Sequence, residues 1–287
     1  MGRKIGDRKD GALLRNIDPM HFIVPLLYPN RCDNEAFISE RIDLTNLNEY
    51  LKNKNLNSPE YAYNLFQAVV TAALKAITLR PKMNRFIANK NLYQRYDLTA
   101  AFVVRKLFTD NGAEALAIVK AKDTDTIDTI HQEIYRQVSE CRSDKLDSSS
   151  ESMDIFNKMP RFISKFLVSI ICFLDRHGWV PTSLIATDPY YSTVVLTNLG
   201  SIKLHSGYHH LTNWGTNSVF VAIGEKKLRP FYDEDGNMTM KDSIDLGITV
   251  DERIADGYYY SKTVRLLRTI LENPQLLETP MAQPVDY

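Results

Sequence analysis

Between Asn57 and Asn84 the chain reads NSPEYAYNLFQAVVTAALKAITLRPKMN, a run best explained by a buried helix. Leu65, Val69, Ala72, Ala73 and Ala76 recur at helical spacing, so they form one apolar stripe that another layer must cover. Ser58 is placed to cap this helix, Pro59 to take its first position and Pro81 to stop it. The covering layer comes from short β-type runs. A strand over Ala36 to Ile42 leads into a helix capped by Thr45, with Leu47 and Leu51 one turn apart. Further strands are predicted at Arg85 to Ala88, Leu92 to Phe108 and Ala115 to Lys120, joined by the turn formers Asn89, Asn91, Asn111 and Gly112. A helix from Thr126 to Ser139 follows. Then come STVVLTNLG (192 to 200), SVFVAIGEK (218 to 226), a hairpin turning at Asp235-Gly236, and a last helix from Gly257 to Leu271 that stops at Asn273-Pro274. Strands mixed with long helices predict an α/β fold, a two-layer sandwich of mixed sheet and packed helices.

A chain of 287 residues fits one large domain, and 15 Tyr with 12 Phe supply ample core. The expected layout is an N-terminal extension over 1–20 and a single domain over 21–287, with 143–190 as an inserted loop and apolar helix. Lys plus Arg and Asp plus Glu both total 35, so no excess positive field is available to hold a phosphate backbone, and nucleic acid is not an expected partner. Cys32, Cys141 and Cys172 are too scattered for a disulfide framework or a zinc site and suit a reducing compartment. The N-terminus lacks the apolar core of a secretory signal, which makes cytoplasm the expected location.

Two stretches invite chemistry or contact. In MPRFISKFLVSIICFLDRHGW the apolar run is too short for the roughly 20 residues that span a bilayer. It reads as a helix packed in the core or a subunit interface, or one that meets a membrane surface through residues 160–174 or walls an acyl channel. Lys158, Arg161 and Lys165 beside Phe162 and Phe166 are the feature that favours lipid. The second stretch is VDERIADGYYYSK, where Asp251, Glu252, Arg253 and Asp256 crowd a strand-to-helix corner. Such a cluster is either a solvated corner with an internal Arg-to-Asp pair or a site.

The order of motifs carries a resemblance. VDERIADGYYYSKTVRLLRTILENPQLL is similar to the end of the catalytic domain of the dihydrolipoyl acyltransferase components of 2-oxo-acid dehydrogenase complexes, whose pattern is D-H-R-x-x-D-G followed by a helix ending in E-N-P or E-D-P. VVLTNLGSI resembles that family's S/T-N-L-G strand, RPKMNRF its P-x-x-N segment and SVFVAIGEK its penultimate strand. Chloramphenicol acetyltransferase, with HHxxxDG at the same corner, shares the fold. The similarity extends over about residues 20 to 280 and is strongest at the C-terminal block.

The resemblance implies a homotrimer with sites between subunits, acyl-coenzyme A as co-substrate, no covalently bound cofactor and no metal. By motif position Thr197 is the oxyanion-stabilising hydroxyl and Asp256 the structural carboxylate acting through an Arg, while Asn198 and Gly200 fall where coenzyme A is held. Glu252 stands where the family has its His. A carboxylate of ordinary pKa near 4.3 is a weaker base than an imidazole near 6.5, so this position argues for altered or lost chemistry. A displaced base is the other option. LHSGYHHLTNWG holds His205, His209 and His210, and His209 and His210 are candidates for that base, with a metal site or a packed loop as the alternatives. The first helix of this region starts within some 60 residues, so a lipoyl swinging arm is not expected. The expected function is acyl transfer from acyl-coenzyme A to an acceptor, the alternative an inactive trimer used for binding or assembly.

Overall fold

A computed structural model describes residues 4–105, 114–142, 158–185 and 188–287. Its strands are β1 (Gly11–Leu13), β2 (Glu35–Asp43), β3 (Arg85–Ala88), β4 (Asn91–Arg95), β5 (Leu98–Arg105), β6 (Glu114–Ala121), β7 (Val194–Asn198), β8 (Val219–Ile223), β9 (Lys227–Tyr232) and β10 (Met238–Asp251). Its helices are α1 (Pro19–Leu27), α2 (Thr45–Lys54), α3 (Leu65–Leu79), α4 (Ile127–Arg142), α5 (Arg161–His177), the single turn α6 (Thr182–Ile185) and α7 (Gly257–Glu272).

The main sheet has seven strands in the order β2-β10-β8-β7-β5-β6, with β9 added to the first half of β10. Only β7 runs parallel to its neighbours, β5 on one side and β8 on the other. Central parallel strands are covered on both faces and read as unbroken apolar runs. Val194–Leu196 and the whole of β8 are buried accordingly. One face of the sheet carries the main core, which α2, α3, α4 and α7 close. On the other face Ala101, Val195 and Phe220 form a small second cluster beneath Leu211.

Helix α3 is buried from Gln67 to Ile77, as its composition requires, but it starts later than Ser58. Asn64 and Gln67 make a reciprocal capping box, Asn64 Oδ1 accepting from the Gln67 N–H and Gln67 Oε1 from the Asn64 N–H. Ser58 instead sits in a turn at φ 47°. Thr45 is likewise inside its helix, and the Asp43 carboxylate accepts from both its N–H and its hydroxyl. Buried Lys75, on α3, spends its ammonium on the carbonyls of Leu276, Thr279 and Pro280, tying the C-terminal segment to the core.

The strand expected from Leu92 to Phe108 is two strands in different sheets. β4 joins the small antiparallel sheet β1-β4-β3, and β5 the main one. The break follows Arg95, whose buried guanidinium is held by Tyr191 O (2.9 Å) and Thr216 O (2.6 Å). Through β1, residues 11–13 of the expected N-terminal extension are paired into this small sheet. The turn formers Asn111 and Gly112, the strand end at Phe108 and the loop at 143–154 lie outside the described residues.

Helix α5 does not enter the core. Of its residues only Asp175 is buried, while Phe162, Phe166 and Phe173 are exposed. Its C-terminal end is tethered instead. Asp175 accepts from the Tyr191 hydroxyl (2.5 Å) and the Gly215 N–H (3.2 Å), and Arg8 donates to the Asp175 carbonyl (2.7 Å). Among the described residues no helix is long and apolar enough to cross a membrane.

Candidate functional site

β10 delivers Asp251 to the corner with no exposed surface. A buried carboxylate has to be paired, and Arg253 forks onto it, Nε to Oδ1 at 2.7 Å and Nη2 to Oδ2 at 2.6 Å. The other arm of Arg253 donates to the carbonyls of Tyr28 and Pro29, both at 3.0 Å. Arg31 approaches the same carboxylate at 3.6 Å and reaches Ile87 O and Gly215 O. Burial pushes the Arg31 pKa down, while Asp251 opposes that shift. The internal Arg-to-Asp pair is therefore real but buried, not the solvated pair that such a cluster would make at a surface.

Asp256 and Glu252 are both exposed. Asp256 caps α7, accepting from the Tyr259 N–H at 2.8 Å, so the carboxylate that works through arginines here is Asp251. Glu252 anchors the corner by its backbone, whose N–H donates to Asn34 O at 2.9 Å.

Thr197 lies at the far end of the sheet. It lines a cavity of about 680 Å³ between the start of α3, α4 and the ends of β5 and β7, with Phe66, Phe102 and Tyr135 in its wall. α5 contributes nothing to that wall, so the apolar helix is not a channel for an acyl chain at this cavity. Next to Thr197, Asn198 caps the turn over Leu199–Ile202 by accepting from the Ser201 N–H. A side chain on Gly200 would meet Gly224 O at 2.9 Å, which explains the glycine. Both residues assigned to cofactor binding therefore shape the turn after Thr197.

The register separates the two ends. Thr197 pairs with Ala222 of β8, whereas Val250 pairs with Val219, and Glu252 lies two residues further on. At about 3.3 Å per residue and 4.8 Å per strand, Thr197 and Glu252 are roughly 15–20 Å apart in one protomer.

The histidines are divided. His205 is exposed beside Glu225 and Lys227. His209 lies flat on Phe220, with centroids 4.2 Å apart and planes 7° from parallel, and its Nδ1 is 2.8 Å from the His210 carbonyl. A carbonyl can only accept, so Nδ1 carries a hydrogen, and in the neutral ring the lone pair is on Nε2. Phe220 pairs with Val195, two residues before Thr197 on the same strand. Because alternate residues share a face, Val195, Thr197, Phe220 and His209 all belong to the second sheet face. His210 is exposed. Among the described residues no group of three or more His, Cys, Asp or Glu could hold a metal. No disulfide joins any of the three cysteines.

Residues 182–279 match the family described as 2-oxoacid dehydrogenases acyltransferase (catalytic domain). In structure the chain resembles a probable dihydrolipoamide acetyltransferase from Listeria monocytogenes 4b F2365, with a TM-score of 0.60, 14% identity, and 91% of this chain and 94% of that one covered. The fold is that of the chloramphenicol acetyltransferase-like acyltransferase cores. A chloramphenicol acetyltransferase matches with a TM-score of 0.55 at 12% identity over 92% of this chain and 98% of its own. The cubic core of the pyruvate dehydrogenase multienzyme complex matches with a TM-score of 0.61 at 11% identity, covering 93% and 94%. A search of curated proteins finds no match. In this acyltransferase-like fold, the corner at Asp251–Asp256 and the Thr197 turn are the two places that the sequence motifs single out.

Sequence reasoning missed Arg31 and the aromatic wall of the cavity. Arg31 sits in the polar run NRCD, where nothing marks it as buried, and Tyr135 is a lone tyrosine on an amphipathic helix.

Proposed function

We propose that this protein is a coenzyme A-dependent acyltransferase whose proton acceptor is His209. One observation carries the reading: a histidine with its Nδ1–H directed at a carbonyl lies over Phe220 on the sheet face of Thr197, while the cavity of about 680 Å³ that Thr197 borders is walled by α3 and α4 on the opposite face. A general base needs a free lone pair in a fixed direction, and imidazole is the side chain whose ordinary pKa is nearest neutrality. In this reading the thioester of acyl-coenzyme A lies at Thr197 at the end of β7, Nε2 of His209 takes the proton of the acceptor's hydroxyl or thiol on the second sheet face, and the acceptor oxygen or sulfur attacks the thioester carbonyl. The Thr197 hydroxyl stabilises the tetrahedral oxyanion. Collapse breaks the carbon–sulfur bond, the proton passes to the thiolate, and coenzyme A leaves.

Self-association belongs to the same proposal. The separation of Thr197 from the Glu252 corner means that the two can meet only between protomers, as a trimer would allow, and the cubic core with which the fold is shared is a multimer. The test is thiol release from acetyl- and longer acyl-coenzyme A, with ligand binding followed by melting. Ligand at 100 times its Kd adds about 2.7 kcal/mol to stability. His209→Gln is expected to lower turnover on the order of 10²- to 10⁴-fold while leaving the ligand-induced melting shift in place. Unchanged turnover would remove His209 from the mechanism.

A second reading is an inactive binding or assembly protein of the same fold. It is favoured by Glu252 at the motif's His position and by Asp256 being spent on a helix cap. A melting shift without thiol release is its signature.

A further inference from the structure

Helix α5 presents a surface that the acyl-transfer reading does not use. Phe162, Phe166 and Phe173 stand at i, i+4 and i+11, hence on one face, and are 74%, 66% and 53% exposed. Ile170 adjoins them. Past the helix end at Gly178, Trp179 is 59% exposed and groups with Phe173 and His177, at ring distances of 6.2 and 4.8 Å. The opposite face, with Ile163, Leu167, Ile171 and Leu174, is the half-buried one.

The charges beside the aromatic stripe are of one sign. Lys158, Arg161, Lys165 and Arg176 are exposed, and among the described residues none has a carboxylate partner. The helix has one acid, Asp175, and that is buried among Tyr191, Gly215 and Arg8.

We infer that α5 docks this protein on an anionic bilayer surface, with the Phe162–Phe166–Phe173 stripe and Trp179 in the acyl-headgroup boundary and the four cations against the lipid phosphates. Charge decides between the possible occupants. A self-complementary contact through this helix would bring two uncompensated cation rows together, and interface cores are depleted in lysine. An anionic surface answers the cations and takes the aromatics, the composition that holds a helix in the interface plane. At 17 residues the helix is about 25 Å long and lies on the bilayer without spanning it.

The inference is independent of the acyl-transfer reading. The test is flotation of the full chain with vesicles of phosphatidylcholine alone and of phosphatidylcholine mixed with phosphatidylglycerol. Flotation is expected with the mixed vesicles only, weakening as salt rises. Lys158→Gln with Lys165→Gln should weaken partition roughly thirtyfold. Phe162→Ser with Phe166→Ser should abolish it without altering the melt, since both side chains are exposed. His209→Gln should float like the parent. Absence of flotation with the mixed vesicles overturns the inference, as does flotation that survives the phenylalanine changes. Loss of self-association in the phenylalanine variant, without vesicle binding by the parent, would assign the stripe to a second copy.

Discussion

Asp251 is the residue on which the corner depends. Its neighbours in sequence suggest one partner, Arg253, yet the carboxylate is approached by two guanidinium groups and has no exposed surface. Through Arg253 it holds the carbonyls of residues 28 and 29, and through Arg31 the backbone at Ile87 and Gly215. Neutralising it strands two buried cations. Asp251→Asn is therefore expected to cost about 3–5 kcal/mol in denaturant unfolding, more than a surface pair would. Glu252, one position along and exposed, should tolerate Gln with little change in stability. The DER triplet shows three charges in a row, and a sequence carries no mark of which of them the fold will bury.

At the scale of elements, the lesson is where helices begin and what holds them. The apolar stripe of α3 was legible because its spacing survives any context, but its cap was not. Ser58-Pro59 and Asn64-x-x-Gln67 are both valid starts, and the chain takes the second because the capping box satisfies two backbone donors at once. The same helix shows a buried lysine doing the work of an N–H-rich clamp. Lys75 gathers three carbonyls of the segment after α7 and also meets the Thr279 hydroxyl at 2.5 Å. Lys75→Met removes these donors and leaves the carbonyls without partners. The expected result is a loss of about 2–3 kcal/mol. Hydrogen exchange across residues 274–282 should rise well before that of α3 itself. A uniform rise in both would mean that the clamp is part of the global fold and not a local fastening.

At the scale of the molecule, the tether at the end of α5 joins the N-terminal segment, the 211–217 loop and the strand entering the sheet. Burial pushes the Asp175 carboxyl above its ordinary value of 3.8, in spite of the Tyr191 hydroxyl and Arg8 beside it, and Asp188 behaves in the same way. A carboxyl whose folded pKa is raised contributes stability that is fully present below the unfolded pKa and is lost as pH rises through the folded one. The stability advantage of the parent over Asp175→Asn should therefore be greatest near pH 4 and shrink toward neutrality, which urea unfolding across that range will read. An advantage that grew with pH would show that the ionised form is the better fit.

The sequence by itself determined the periodic and the local: the mixture of strands and long helices, the buried character of α3, the strands within 192–200 and 218–226, the hairpin at Asp235-Gly236 and the end of α7 at Asn273-Pro274. These follow from spacing and turn chemistry, which act over a few residues. Tertiary structure decided which charge of the 251–256 cluster is buried, that the strand after Leu92 is shared between two sheets, that α5 turns its phenylalanines outward, and that His209 rests beside the Thr197 strand while Glu252 lies roughly 15–20 Å away. Each depends on residues far apart in the chain meeting at one place, and burial there sets the cost of a charge and the direction of a side chain.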